Sequence, residues 1–200
     1  MGLMIKKYVI FIIMIMNVTI LSADTITLED GIFVGEKAKT VDSELKVAVG
    51  DKAPDFSLTT IDGKAISLND YKGEKNVAIS FVPAAWTPVC SGQWPGYNIV
   101  QDIFDEYNTI LLGITVDNIP TLYAWTKAMG EIWFPVLSDF YPHGEVADRY
   151  GVLRSDGVSE RALFIIDKKG IIRYIDVHDI NVRPPLETLI AELKKVENKK

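Results

Sequence analysis

The sequence is poor in cysteine, because Cys90 is the only one among its 200 residues. A single thiol closes no disulfide within the chain, forms no CxxC redox pair and builds no thiolate cage for zinc. A chain of this length encloses an ordinary hydrophobic core and therefore does not need disulfides to fold. The lack of cysteine thus excludes three common uses of the residue and leaves the question of what the lone thiol does.

Positive charge is also scarce, with 21 Lys and Arg against 27 Asp and Glu and a net charge of −6. This balance offers no basic surface to a phosphate backbone, which argues against nucleic-acid binding. The two histidines, His143 and His178, lack the cysteine and carboxylate spacing of a Cys-His hydrolase. Three aspartates that follow predicted strands are interpreted as turn formers rather than metal ligands: Asp117, Asp139 and Asp167. We therefore expect neither a metal nor a cofactor.

A long hydrophobic run occurs at residues 8–21, after Lys at 6–7 and before Ser-Ala-Asp at 22–24. A basic start, a short apolar centre and small residues before a polar segment are typical of a signal peptide, here cleaved near Ala23. A membrane-spanning helix needs about 20 apolar residues, so a permanent anchor is the weaker interpretation. It stays open because Leu21 is bulky for a cleavage site. Residues 1–23 therefore predict export to the periplasm or the outside of the cell, with a membrane tether as the alternative.

Residues 24–200 are predicted to form one domain that opens with two small hairpins. Short apolar runs interrupted by Glu-Asp-Gly and Ile-Asp-Gly turns are typical of paired strands. The predicted pairs are 25–28 with 32–34 and 56–59 with 64–67. The first pair would be an N-terminal β-hairpin extension of the domain.

The rest of the domain alternates buried strands with helices. Near-continuous apolar runs predict strands covered on both faces, and apolar residues three or four apart predict helices. The predicted strands are 76–82, 110–116, 162–166 and 171–177, and the predicted helices lie around 94–107, 122–129 and 186–196. This order predicts the α/β class and a thioredoxin-like fold, with a mixed central sheet flanked by helices.

The chemistry is predicted where the strand at 76–82 ends. Pro83, Thr87 and Cys90 form the pattern PxxxTxxC, which leads directly into a helix. Unpaired N–H groups and the macrodipole at a helix start stabilise negative charge, which favours the reactive thiolate of Cys90. The hydroxyl of Thr87 both donates and accepts hydrogen bonds. Arg161, just before a neighbouring strand, would add a cation that favours the thiolate and can hold an oxygen atom of a substrate.

On these residues the sequence resembles the peroxiredoxins of the alkyl hydroperoxide reductase C and thiol-specific antioxidant superfamily, and in particular the one-cysteine kind. Pro83, Thr87, Cys90 and Arg161 match the active-site pattern of the family. The segments that resemble the alkyl hydroperoxide reductase E branch are Ser138-Asp139-Phe140, Pro142-His143-Gly144 and Tyr150-Gly151-Val152. The opening hairpin and the segment 49–56 are more similar to the thiol peroxidase branch.

The resemblance implies a thiol-dependent peroxidase that reduces hydrogen peroxide and organic hydroperoxides. Cys90 would attack the hydroperoxide and become a sulfenic acid, while Thr87 and Arg161 would bind the peroxide oxygens. Pro83 and Trp86 would shield the pocket from water. Gln93 would also belong to the substrate pocket and would hydrogen-bond the active-site loop. Because the chain has no second cysteine, an external thiol, either thioredoxin-like or of low molecular weight, would act as reductant. The resemblance also implies a homodimer.

Alternatives remain open from the residues alone. A non-enzymatic thioredoxin-like binding module would leave Cys90 inert, and a peroxide sensor would pass its oxidation to one partner protein. Arg161 would in the simplest case be a surface ion-pair partner of Glu160 or Asp156. Pro95 lies five residues after Cys90 and predicts a kink in the active-site helix.

Overall fold

A seven-stranded mixed β-sheet organises the computed structural model, which describes residues 27–197. The strands are β1 Ser57–Thr60, β2 Ala65–Ser67, β3 Asn76–Phe81, β4 Thr109–Thr115, β5 Val136–Ser138, β6 Arg161–Ile166 and β7 Ile172–His178. Their order is β2-β1-β5-β4-β3-β6-β7, with β3, β4 and β5 parallel and the other neighbours antiparallel. The α/β class and the thioredoxin-like fold are confirmed, and each strand predicted after residue 55 lies within one residue of its expected ends.

Helices cover both faces of this sheet. They are α1 Leu28–Gly31, α2 Pro88–Tyr97, α3 Gln101–Glu106, α4 Ile119–Met129, α5 Glu145–Tyr150 and α6 Leu186–Glu197. Helices α2, α3, α4 and α6 share one hydrophobic cluster, in which Trp94, Phe104, Trp125 and Leu193 are buried. Helix α5 packs on the opposite face. Because successive residues of a strand point to opposite faces, the central strand β3 contributes to both clusters.

The N-terminal hairpin predicted within residues 25–35 is wrong for the part that the structure describes. Leu28–Gly31 is one turn of helix, and no strand follows it before β1 in the described residues. The hydroxyl of Thr27 accepts from the N–H of Asp30, while the carboxylate of Asp30 accepts from the N–H of Thr27. This capping box favours a helix start over an extended strand. Residues 25 and 26, the first half of the first strand in the predicted hairpin, lie outside the described residues.

Strand β5 and helix α5 are absent from the sequence-based prediction. Both are short, with three and six residues, so neither shows a full period of its hydrophobic pattern. Asp139, predicted to form a turn, accepts hydrogen bonds from the N–H groups of Val146 and Ala147 at the start of α5. Burial raises the pKa of Asp139, and these two backbone N–H groups oppose the rise. The aspartate is therefore a cap for the helix that covers this face of the sheet.

The helix that contains Pro95 is interrupted further along the chain than predicted. Helix α2 continues past Pro95 to Tyr97, a 3₁₀ turn follows at Asn98–Val100, and α3 begins at Gln101. A proline removes only the hydrogen bond to the residue four positions earlier, so the flanking turns keep their own bonds. The active-site end of α2 is thus regular, and the break lies beyond it.

None of the helices described has the length and apolar character needed to cross a membrane. The predicted signal peptide or anchor at residues 1–23 lies outside the described part of the chain, and so does the start of the domain at residue 24. Both therefore stay predictions.

Replacing Gly151 with alanine is expected to lower the free energy of unfolding by more than about 2 kcal/mol. Gly151 ends α5 at φ 74°, and a Cβ there would overlap the backbone of Glu44 and Lys46. The control is Gly63→Ala, because Gly63 has φ 80° but open space around it. Urea denaturation should give a larger loss at position 151 than at 63, since only the first adds a steric clash. Equal losses would contradict the steric argument.

Candidate active site

Cys90 lies where strand β3 passes through a loop into helix α2. Thr87 is the N-cap of the helix and Pro88 its first residue, a position that suits proline because its missing N–H has no partner there. The N–H of Ser91 makes the first helical hydrogen bond, at 2.9 Å to the carbonyl of Thr87. The N–H of Cys90 precedes it and forms no backbone hydrogen bond within residues 27–197. This donor is therefore free to bind an oxygen atom placed beside the sulfur.

Arg161 begins strand β6 and brings a cation to the sulfur. Its Nη2 lies 3.4 Å from Sγ of Cys90. The same guanidinium donates to the carbonyl of Ile180, at 3.2 Å from Nε and 3.0 Å from Nη2, and to Oε1 of Gln93. Only 1% of Arg161 is exposed. Because water does not screen it, its charge acts strongly on a neighbouring sulfur and on an oxygen bound there.

The surface ion pair considered for Arg161 is not the observed arrangement. Glu160 and Asp156 both pair with Arg154 instead, at 2.9 Å and 3.3 Å. The side chains of Arg154 and Glu160 are 2% and 0% exposed, so this pair is buried beside the site. Arg161 therefore makes its hydrogen bonds to Cys90, Gln93 and the carbonyl of Ile180.

Gln93 lies behind Arg161, one helical turn after Cys90. Its Oε1 accepts from Arg161, and its Nε2 donates to the hydroxyl of Tyr97 at 2.8 Å. Burial raises the pKa of Tyr97, so this hydroxyl is neutral and accepts the bond. Ser80 on β3 lies 3.4 Å from the same amide nitrogen. The amide orientation of Gln93 is therefore set by its partners, and it aims the guanidinium at the sulfur.

The loop before Cys90 is held from two sides. Asp117, after β4, accepts from the N–H of Ala85 at 2.8 Å, so it anchors the loop. The hydroxyl of Thr87 donates to the carbonyl of Ala84 at 2.9 Å, which leaves its oxygen lone pairs available. Trp86 has φ 60°, an unusual conformation for a bulky residue, and its carbonyl accepts from the N–H of Phe33 at 2.7 Å. These bonds fix the loop and leave the lone pairs of the Thr87 hydroxyl free to accept a hydrogen bond in the pocket.

An open pocket of about 420 Å³ lies over the sulfur. Four of the predicted site residues line it together, namely Pro83, Thr87, Cys90 and Arg161. Trp86 and Gln93 do not line it, so their prediction as pocket residues is corrected. The positive φ of Trp86 turns its indole against Gly31 of α1, and Gln93 lies buried behind Arg161.

Several groups of the site carry no signal in the sequence. The carbonyl of Ile180 is a backbone atom, which any residue would provide. Asn181 and the segment Phe33–Ala38 line the pocket because long loops bring them there. Only the acidic residue directly after a buried strand, Asp117, has a recognisable position, since strand ends gather at one edge of a parallel sheet.

The site thus consists of a buried arginine that donates to a cysteine at a helix start, at the floor of an open pocket in a thioredoxin-like fold. This arrangement is typical of a thiol peroxidase. The comparisons with known proteins agree with this class. The family model described as AhpC/TSA family matches residues 49–175. Alkyl hydroperoxide reductase E of Mycobacterium tuberculosis is 37% identical over 130 residues, which cover 64% of this chain and 84% of that protein.

Two further relatives belong to the same group of proteins. The chloroplastic 2-cysteine peroxiredoxin of Chattonella marina var. antiqua is 36% identical over 167 residues, 77% of this chain and 85% of that one. The solved structure of reduced 2-Cys peroxiredoxin from Plasmodium vivax is 29% identical, with a TM-score of 0.70 over 75% of this chain and 82% of that one. The chain therefore belongs to the AhpC/TSA family of peroxiredoxins, and it is a thiol-dependent peroxidase.

Proposed function

We propose that this protein reduces hydrogen peroxide and organic hydroperoxides through Cys90 as its peroxidatic residue. The observation that carries the proposal is the 3.4 Å contact between Nη2 of Arg161 and Sγ of Cys90 at the floor of the pocket. A sulfur that carries negative charge accepts such a hydrogen bond better than a neutral thiol does. The thiolate is also the form of cysteine that attacks a peroxide.

In the proposed step, the Cys90 thiolate attacks the terminal oxygen of the hydroperoxide. A sulfur–oxygen bond forms while the oxygen–oxygen bond breaks, and the leaving oxygen takes a proton to become water or an alcohol. The thiolate is oxidised by two electrons to a sulfenic acid. Arg161 and the free N–H of Cys90 would donate to the peroxide oxygens and disperse the charge that moves onto the leaving one. The hydroxyl of Thr87, whose hydrogen is bonded to the carbonyl of Ala84, would accept from the O–H of the hydroperoxide. Pro83 keeps water from the buried sulfur.

The return step needs a thiol from outside the chain, because Cys90 is the only cysteine. A first external thiol would condense with the sulfenic acid and release water, and a second would reduce the resulting mixed disulfide. The reductant is proposed to be a thioredoxin-like protein or a small thiol. We further propose that the protein acts as a homodimer outside the cytoplasm, exported or tethered through residues 1–23.

One equivalent of hydrogen peroxide is expected to consume the Cys90 thiol far faster at neutral pH than it consumes free cysteine. Stopped-flow tryptophan fluorescence follows the reaction, since Trp94 lies in the same buried cluster as Cys90. Thr87→Val removes one hydrogen-bonding group and should slow the reaction about tenfold. The matched control is Thr59→Val on β1, which should leave the rate unchanged. A wild-type rate no greater than that of free cysteine would reject the proposed function.

A further inference from the structure

One wall of the active-site pocket comes from a segment that precedes the part of the chain matched by the family model. Residues Phe33–Ala38, which we call the strap, line the same pocket as Cys90 and Arg161. The family match begins at residue 49. The strap thus precedes the segment that the family model matches, and it lines the open pocket above Cys90.

The strap is tied to the active site at both of its ends. The N–H of Phe33 donates to the carbonyl of Trp86 at 2.7 Å, in the loop before Cys90. At the other end Asn181 binds both backbone groups of Ala38, at 3.1 Å and 3.0 Å. Hydrogen bonds from Asn181 lower the pKa of Asp179, whose carboxylate in turn orients the amide of Asn181. These bonds hold the two ends of the strap beside the active site.

Between its two ends the strap is free of such bonds. Within the described part of the chain, residues 34–37 make no hydrogen bond to other residues. Their position is set by the two ties alone, while Phe33 and Val34 are 70% and 76% exposed. Large apolar side chains with that exposure beside a catalytic pocket have unburied surface to offer a ligand.

The volume of the pocket exceeds what the two oxygen atoms of a hydroperoxide need. Its volume of about 420 Å³ lies in the range of about 300–1,000 Å³ found for pockets that bind organic ligands. Besides Phe33 and Val34, its apolar lining includes Pro88, Val89 and Ile180. The charged residues of its lining, apart from Arg161, are exposed and lie at its solvent side: Glu36, Lys37 and Asp156. The interior is thus polar at Cys90 and Arg161 and apolar beyond them.

We propose that the strap is a specificity-determining wall that favours hydroperoxides with a bulky apolar group over hydrogen peroxide. The inference rests on the proposed function of Cys90. The hydroperoxide oxygens would sit at Arg161 and Thr87, and the hydrocarbon part would pack against Phe33, Val34 and the other apolar residues that line the pocket. Hydrogen peroxide has no such part and does not reach the strap.

The test compares the double variant Phe33→Ala/Val34→Ala with wild type. Both substitutions keep the backbone N–H that binds Trp86. The rate of Cys90 oxidation is measured by stopped-flow fluorescence with hydrogen peroxide, tert-butyl hydroperoxide and cumene hydroperoxide. The rate with cumene hydroperoxide should fall about tenfold, the lower end of the effect of one methylene group in a hydrophobic pocket. The rate with tert-butyl hydroperoxide should fall less, and that with hydrogen peroxide should stay within about twofold.

The matched control is Ile99→Ala, because Ile99 is 77% exposed but lies outside the pocket. It should change none of the three rates. If the double variant keeps its rate with cumene hydroperoxide, or loses the same factor with all three peroxides, the strap is not a specificity element and the inference is overturned. In both cases a fast wild-type reaction with hydrogen peroxide would leave the proposed function standing. A slow one would reject the proposed function itself.

Discussion

Replacing Arg161 with methionine is expected to slow the oxidation of Cys90 by hydrogen peroxide about 10²–10³-fold, as is typical when one donor to a developing oxyanion is removed. The guanidinium lies 3.4 Å from Sγ and is almost wholly buried, so its charge is not screened by water. No other cation lines the floor of the pocket among the described residues, since Lys37 is exposed at its solvent side. Methionine fills similar space without any charge.

The controls separate chemistry from folding. Arg161→Lys keeps the charge but loses the planar fork that binds Ile180 and Gln93, so its rate should lie between those of wild type and Arg161→Met. Arg173→Met removes another arginine from the same sheet and should leave the rate unchanged. Arg173 pairs with Asp167 at the turn between β6 and β7, the end of this hairpin opposite to Arg161. Circular dichroism checks that each variant is folded. A folded Arg161→Met protein that reacts at the wild-type rate would contradict the proposed role.

Replacing Arg154 with methionine is expected to lower the free energy of unfolding by about 3–5 kcal/mol. The cause is the carboxylate of Glu160, which is fully buried and would be left without its charge partner. Arg154 also donates to the carbonyl of Lys39, just beyond the strap. The substitution therefore also removes a hydrogen bond that holds the N-terminal segment. Urea denaturation measures the change.

Two further variants test whether the unpaired charge is the cause. Arg154→Met/Glu160→Gln removes the charge on both sides and should regain a large part of the stability, because a neutral amide is less costly to bury. Arg173→Met breaks the more exposed pair with Asp167 and should cost no more than about 1 kcal/mol. If the double variant is as unstable as Arg154→Met, the loss comes from packing and not from the stranded charge.

The local pattern around Cys90 correctly predicted the position of this residue at the start of a helix. A buried strand, the sequence PxxxTxxC and a helix follow one another within a few residues, so short-range preferences alone place Cys90 at a helix start. Arg161 is 71 residues further along the chain, and its role was expected from family resemblance. The structure adds the reason for its position, which is the antiparallel pairing of β6 with β3 beside the loop.

Other parts of the molecule lie beyond what the sequence pattern reveals. Trp86 was expected in the pocket wall, but the direction of its indole depends on a positive φ that no periodicity reports. The N-terminal hairpin was expected from apolar residues on either side of Glu-Asp-Gly, while the capping box between Thr27 and Asp30 favoured a helical turn. The strap reaches the pocket through contacts with residues about 140 positions away, and such long-range packing has no local signature.

Ile180 links Arg161 to the N-terminal segment that contains the strap. A protein engineer would wish to change these two parts of the site separately. Its carbonyl accepts two hydrogen bonds from Arg161, and its N–H donates to the carbonyl of Thr40, shortly after the strap. A strap transplanted onto another scaffold would thus need the turn at Asp179–Asn181 to come with it. Deleting the strap would also disturb the hydrogen bonds that hold Arg161 in position. Point substitutions of the strap side chains are therefore the cleaner way to re-engineer peroxide preference.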